Sequence, residues 1–210
     1  MTVRVLLVDD AEFVREGFRM VLDPAPEVEV VGEAADGVTG VAEAERLRPD
    51  VVLMDVRMPA LDGIEATRRI VALDGPPVRV LMLTTFDLGE YLLEALHAGV
   101  SGFALKDTPP EDLLAGILAV ARGDALVEPE TTVQLIGRSA RNLPPRSLDG
   151  LAGVERDVLE LLAAGLSDAE IAPRLGLDVA SVGEQVARVL AKLGVRDRVH
   201  AVLAAHQAAR

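Results

Sequence analysis

The chain has 210 residues, enough for one large domain or two of ordinary size. Half are hydrophobic, 2% are aromatic and none is cysteine, which calls for aliphatic cores, excludes disulfides, thiolate chemistry and cysteine zinc sites, and leaves little for aromatic stacking on bases. Residues 1–125 hold 11 Lys/Arg against 23 Asp/Glu and residues 126–210 hold 10 against 11, so the first part is no general polyanion binder and the second can bind DNA only through local placement of charge.

Short β-branched or apolar runs alternate with segments of helical period along the first part. Val3–Val8 is followed by a helix over Ala11–Leu22, Val28–Val31 by Val38–Leu47, Val51–Met54 by Gly63–Ala72, Val78–Leu83 by Leu88–Ala98, and Gly102–Leu105 by Pro110–Arg122. Five strand-then-helix units predict an α/β domain over residues 1–122 with a parallel, doubly wound sheet. Wholly apolar strands such as Val-Val-Leu-Met suit a sheet covered on both faces, and ligands of such sheets sit at the carboxyl ends of the strands.

After Gly123 the pattern changes to Gly-Asp, Glu-Pro-Glu and Asn142-Leu-Pro-Pro-Arg-Ser, with one weak helical stretch at Thr131–Ser139; residues 123–147 read as a linker. Four helical segments follow, at Glu155–Ala164, Asp168–Leu175, Val179–Leu193 and Asp197–Ala209, punctuated by Gly165, Gly176 and Gly194. They predict a small all-α domain over 148–210. The N-terminus has no signal-peptide pattern and no stretch reaches the roughly 18 apolar residues of a membrane span, so a cytoplasmic protein without a membrane partner is expected.

Asp9 and Asp10 end the first strand and Asp55 ends the third, and the doubly wound order gathers these carboxylates at one sheet edge. Three like charges so close require protonation or a cation. All-oxygen ligands point to Mg²⁺ or Mn²⁺. Lys106 after the fifth strand adds a point positive charge and Thr84 at the end of the fourth a hydroxyl, parts that suit phosphoryl transfer to a carboxylate. A haloacid-dehalogenase type of phosphatase would need a second Asp two residues after the acceptor, where Arg57 stands. No Gly-x-x-x-x-Gly-Lys-Ser/Thr run supports nucleotide hydrolysis.

The runs Leu7-Val-Asp-Asp10, Asp55-Val-Arg-Met-Pro-Ala-Leu-Asp-Gly63, Leu83-Thr-Thr-Phe86 and Gly102-Phe-Ala-Leu-Lys106 resemble the receiver domain of two-component response regulators, over roughly residues 1–125. The resemblance implies a flavodoxin-like five-stranded sheet and no enzyme beyond self-phosphorylation. Asp55 would take the phosphoryl group from a sensor histidine kinase. Asp9, Asp10, Asp55 and the backbone carbonyl of Arg57 would hold the metal. Lys106 would pair with the phosphoryl oxygens, Thr84 would move to bond them, and Phe103 would turn inward with it. A phosphoryl group adds about −1.5 to −2 charge and three acceptors, and a coupling of about 1–3 kcal/mol biases such a switch without locking it.

The segment from Glu155 to Ala172, continuing through Leu190-Ala-Lys-Leu-Gly-Val-Arg-Asp-Arg198, resembles the LuxR-type helix-turn-helix of the NarL/FixJ branch, over about residues 148–207. By that resemblance the helix near Val179–Leu193 enters the major groove, the last helix helps to dimerise the phosphorylated form, and the chain is a DNA-binding transcriptional regulator. Its reading stretch is altered: Ser181-Val-Gly-Glu-Gln-Val186 places Gly183 where lysine is usual and the acidic Glu184 beside it. Arg174, Arg188, Lys192, Arg196 and Arg198 remain as candidate phosphate contacts, with Ser181, Glu184 and Gln185 as candidate base contacts. The rival reading keeps the phosphoswitch and gives the helices a protein partner in place of DNA.

Overall fold

A computed structural model describes residues 2–84, 91–123, 148 and 150–208. Residues 124–147 of the linker expected over 123–147, with its helical stretch at Thr131–Ser139, the Thr85-Phe86 pair and the first residues of the helix expected from Leu88 lie outside them. The chain divides into two compact units, Met1–Val127 and Glu128–Arg210.

In the first unit, β1 (Val3–Val8), β2 (Val28–Ala34), β3 (Val51–Asp55), β4 (Arg79–Thr84) and β5 (Gly102–Leu105) form one sheet in the order β2-β1-β3-β4-β5, every pair parallel. The intervening helices are α1 (Glu12–Leu22), α2 (Gly37–Leu47), α3 (Gly63–Val71), α4 (Leu92–Ala98) and α5 (Pro110–Arg122). β3 is buried along its whole length, as a strand covered on both faces must be. Its neighbours β1 and β4 contribute Leu6, Leu7, Leu81, Met82 and Leu83 to an aliphatic core. The chain runs from β1 outward to β2 and then back to β3 on the other side, so the order reverses between β1 and β3. In a doubly wound sheet that reversal opens a crevice at the carboxyl ends of these two strands. Asp9 follows the one and Asp55 ends the other.

Three strands differ in their limits from the sequence pattern; β3 runs one residue further than expected, to Asp55. β2 runs three residues beyond Val31, through Gly32-Glu33-Ala34, because the pairing with β1 slips between Val5 and Leu6 and then continues. That irregularity is the work of a bulge, and Glu33 at the far end is tied to α1 by Arg15 at 3.2 Å. β4 begins one residue later than expected and includes Thr84. The loop from Val56 to Asp62 is drawn tightly back onto β3: Gly63 N–H donates to the Val56 carbonyl at 2.9 Å, and a Cβ at position 63 would lie 1.8 Å from the Asp55 carbonyl oxygen. Only glycine fits there.

The regular elements among the described residues of the second unit are helices: α6 (Gly153–Ala163), α7 (Asp168–Leu175), α8 (Val179–Leu193) and α9 (Arg198–Ala208). Asp178 caps α8 by accepting from Ser181 N–H at 2.7 Å, and Gly176 and Gly194 close α7 and α8 in the left-handed conformation. The core is again aliphatic, from Val158, Leu159 and Leu162 of α6, Ile171 of α7, Val182 and Val189 of α8, and Val199 and Val202 of α9. α6 starts two residues before the expected Glu155. That glutamate is the third residue of the helix and turns back to accept from Ala152 N–H at 2.8 Å, satisfying a donor that the first turn would otherwise orphan.

Candidate functional site

The strand ends bring the sequence-predicted acidic residues together. Asp9, Asp10 and Asp55 each offer one carboxylate oxygen, and these atoms lie within 4.8 Å of one another, with Asp9 and Asp55 buried and Asp10 exposed. Asp9 is held from several sides. Its Oδ1 accepts from Ala11 N–H at 3.0 Å, its Oδ2 faces the Lys106 ammonium at 2.6 Å, and its backbone carbonyl accepts from Arg15 Nη1 at 2.7 Å. Asp55 Oδ1 accepts from Val56 N–H at 2.9 Å and lies 3.0 Å from the same ammonium. Lys106 thus bridges the two buried carboxylates, and its own backbone N–H donates to the Thr84 carbonyl at 2.8 Å, pinning the end of β5 to the end of β4.

The electrostatics follow from burial. Asp55 is only 8% exposed, and desolvation pushes its carboxyl above the ordinary carboxylate range. Lys106 opposes that rise and the charge of Asp9 adds to it. Burial works against the Lys106 charge too, but hydrogen bonds and attraction from Asp9 and Asp55 outweigh it and raise its pKa. One ammonium against three carboxylates leaves the crevice net negative, and the donor set is all oxygen. Such a set fits a small hard divalent cation that can share its remaining positions with phosphate oxygens.

Thr84 and Phe103 are both buried at this edge, on neighbouring strands β4 and β5 where Thr84 pairs with Leu105 and Met82 with Phe103. Arg57, exposed two residues after Asp55, sets its guanidinium 5.4 Å from the centroid of the Tyr91 ring, with Nη2 3.5 Å from the Tyr91 hydroxyl. Residue pattern alone does not foretell this contact, nor that of Arg15 on the Asp9 carbonyl. A cation with no partner at helical or strand spacing announces neither.

On the helical unit the candidate contacts separate. Arg174, Glu184, Arg188 and Lys192 are exposed, and Ser181, Gln185 and Arg196 are half-buried. Arg188 lies 3.6 Å from Glu184, Lys192 2.7 Å from Glu155, and Arg196 3.4 Å from Asp197. Arg198 is the exception and corrects the expectation: at 5% exposure it donates to Asp168 Oδ1 at 2.8 Å and to the Leu166 carbonyl at 2.6 Å. It fastens the start of α9 to the start of α7, and its guanidinium is committed to the interior.

The matches with known proteins agree with both units. Residues 5–118 match the family model of the response regulator receiver domain, and residues 149–205 match that of bacterial regulatory proteins of the luxR family. The chain is 40% identical over 205 residues to the uncharacterised transcriptional regulatory protein YxjL of Bacillus subtilis, covering 96% of this chain and 94% of that protein. It is 39% identical over 207 residues to the response regulator protein VraR of Staphylococcus aureus, covering 99% and 98%. Among solved structures it resembles RcsB of Salmonella enterica serovar Typhimurium, bound to promoter rprA in the presence of the phosphomimetic BeF3−, with 28% identity, a TM-score of 0.56 and full coverage of both chains.

Proposed function

We propose an aspartyl-phosphate mechanism for this chain, which belongs to the response regulators that join a receiver domain to a LuxR-family regulatory domain and act as transcriptional regulators. The observation that carries the mechanism is the Lys106 ammonium clasped between Asp9 and Asp55 at the β1–β3 crevice. The Asp55 carboxylate attacks the phosphorus of a sensor kinase's phosphohistidine; the new O–P bond forms as the P–N bond breaks. Asp9, Asp10, Asp55 and the Arg57 carbonyl would hold Mg²⁺ or Mn²⁺, which when bound would neutralise charge on the transferring group.

Lys106 then exchanges carboxylate for phosphoryl oxygen, and Thr84 donates its hydroxyl to the same group. Thr84 and Phe103 carry the change along the β4–β5 edge. The chain serves as its own phosphoryl acceptor in the cytoplasm, and among its described residues no helix is long and apolar enough to cross a membrane. The receiver occupies residues 1–122, a linker 123–147 and the DNA-binding domain 148–210, with phosphorylation promoting a homodimer on a two-fold DNA site. The luxR-family match and the promoter-bound RcsB structure favour DNA over a protein partner for the helical domain.

Incubation of the full chain with phosphoramidate and Mg²⁺, read by intact mass, tests the assignment. One phosphoryl group is expected on the wild type, none on Asp55→Asn, and none when EDTA replaces Mg²⁺. Equal incorporation into Asp55→Asn would sink it.

A further inference from the structure

α8 carries two cations, Arg188 and Lys192, and each already faces a carboxylate. Arg188 Nη2 lies 3.6 Å from Glu184 Oε2, one turn earlier on the same helix, and the Glu184 side chain is 73% exposed. Lys192 Nζ lies 2.7 Å from Oε2 of Glu155, which belongs to α6. The second pair is the firmer. Glu155 is buried, and the oxygen that meets Lys192 also accepts the Ala152 N–H at 2.8 Å, so the helix cap and the ion pair share one atom. Arg188 lies close enough to act on the same carboxylate.

Positions 184, 188 and 192 recur every four residues and form one stripe along α8. Its charges run negative, positive, positive, and Glu155 beside its end supplies the second negative. The stripe is therefore neutral as it stands. Protein–DNA attraction comes from cations that neutralise phosphates and release counterions. A cation that must first leave a carboxylate gains less, and the abandoned carboxylate is left facing the polyanion.

We infer that Glu184 and Glu155 set the DNA affinity of this surface by competing with backbone phosphates for Arg188 and Lys192. This rests on the reading of α8 as the DNA-facing helix. The competition holds down attachment to arbitrary duplex, so that base contacts and a second copy of the domain are required for stable binding. Glu184, exposed and loosely paired, acts through its charge; Glu155, buried and doubly bonded, acts by holding the lysine.

The test uses the full chain and a fluorescent duplex of mixed sequence, followed by anisotropy over a series of KCl concentrations. Glu184→Gln is expected to bind roughly 1.4- to fivefold tighter than wild type at low salt, the range that an exposed ion pair of about 0.2–1 kcal/mol allows. The slope of log K against log salt should steepen by about 0.9, one phosphate's worth. Glu155→Gln keeps an acceptor for the Ala152 N–H and should change affinity in the same direction. Should Glu155→Gln fail to fold, Lys192→Gln reads that pair from the other side, with a slope that falls by less than one phosphate's worth. Binding by Glu184→Gln where the wild type shows none also supports the inference. Wild-type binding with an unchanged or weaker Glu184→Gln overturns the competition alone. Absence of binding by every variant at the lowest salt overturns the DNA-facing reading of α8, and the inference with it.

Discussion

Asp55 of the receiver and Asp197 of the helical domain are both buried carboxylates, with opposite proton affinities. Burial outweighs the help of Lys106 at Asp55 and pushes that carboxyl up. At Asp197 burial also pushes upward but is outweighed: Oδ1 accepts the His200 backbone N–H at 3.2 Å and lies 2.7 Å from His200 Nδ1, and Arg196 adds its charge. The carboxyl of Asp197 is held below the ordinary range. A buried acid whose surroundings favour its charge on balance, as the His200 donors on Oδ1 and the Arg196 guanidinium 3.4 Å from Oδ2 do at Asp197, is a structural part, here the cap of α9. A buried acid whose desolvation outweighs its partners, beside two more carboxylates, is one whose charge a bound cation would relieve. The contrast separates the site from the scaffold without reference to any relative.

The strongest way to break this contrast is to dislodge Asp55 without touching its side chain. A Cβ at position 63 would lie 1.8 Å from the Asp55 carbonyl and 3.1 Å from Met54 Cγ, and the first of these is backbone that cannot step aside. Gly63→Ala should therefore cost the receiver about 3 kcal/mol or more and abolish phosphorylation from phosphoramidate, while the melting of the helical domain stays put. Urea unfolding alongside intact mass checks both. A fully phosphorylatable Gly63→Ala protein of wild-type stability would show that the loop need not press against β3.

Acidification in the presence of a chelator should change the contributions of Asp55 and Asp197 in opposite directions. Asp55 has its folded pKa above the unfolded value of 3.8, so its penalty is complete above the folded pKa. As pH falls through that value toward 3.8 the folded state binds the extra proton, and the receiver gains stability from this group. Asp197 and Glu155 have folded pKa values below their unfolded 3.8 and 4.5. Their contribution is present above those unfolded values and is lost as pH falls through the lower folded ones. Scanning calorimetry of the full chain from neutral pH downward should show the receiver transition rise first, followed by a fall of the helical transition below about pH 4.5. Asp55→Asn should remove the rise. A receiver transition with the same pH profile in wild type and Asp55→Asn would contradict the comparison.

How much of this was legible in the sequence depended on whether the governing contact was local. Strand–helix alternation and apolar runs such as Val51–Met54 announce the sheet, and acidic residues at the strand ends announce the crevice, because topology alone carries them to one edge. The extension of β2 through Gly32-Glu33-Ala34 was hidden. Those residue types are poor strand formers, and a bulge plus Arg15 recruits them. The early start of α6 was hidden because it depends on Glu155 turning back to Ala152. Arg198 was misread as a DNA contact because a lone arginine at a helix start says nothing of burial, and its partners Asp168 and Leu166 lie some 30 residues away.

Gly183 gives the smallest and most discriminating effect. It stands inside α8, where glycine costs about 1 kcal/mol relative to alanine, and unlike Gly63 it is under no packing demand. A Cβ there would meet only Asp168 Oδ2, at an ordinary 3.8 Å. Gly183→Ala should therefore stabilise the helical domain by somewhat under about 1 kcal/mol, raising its calorimetric transition by a few degrees and leaving the receiver transition unchanged. Because alanine adds no charge, the salt slope of DNA binding should stay at the wild-type value, which separates a helix effect from the carboxylate competition at Glu184. A loss of stability in Gly183→Ala would mean that the helix needs the glycine for packing within the domain, whereas a loss of DNA affinity at unchanged stability would mean that it needs it for a close approach of the DNA backbone. With no loss of either, the proposed DNA-facing helix has room for a side chain at position 183 that this chain does not supply.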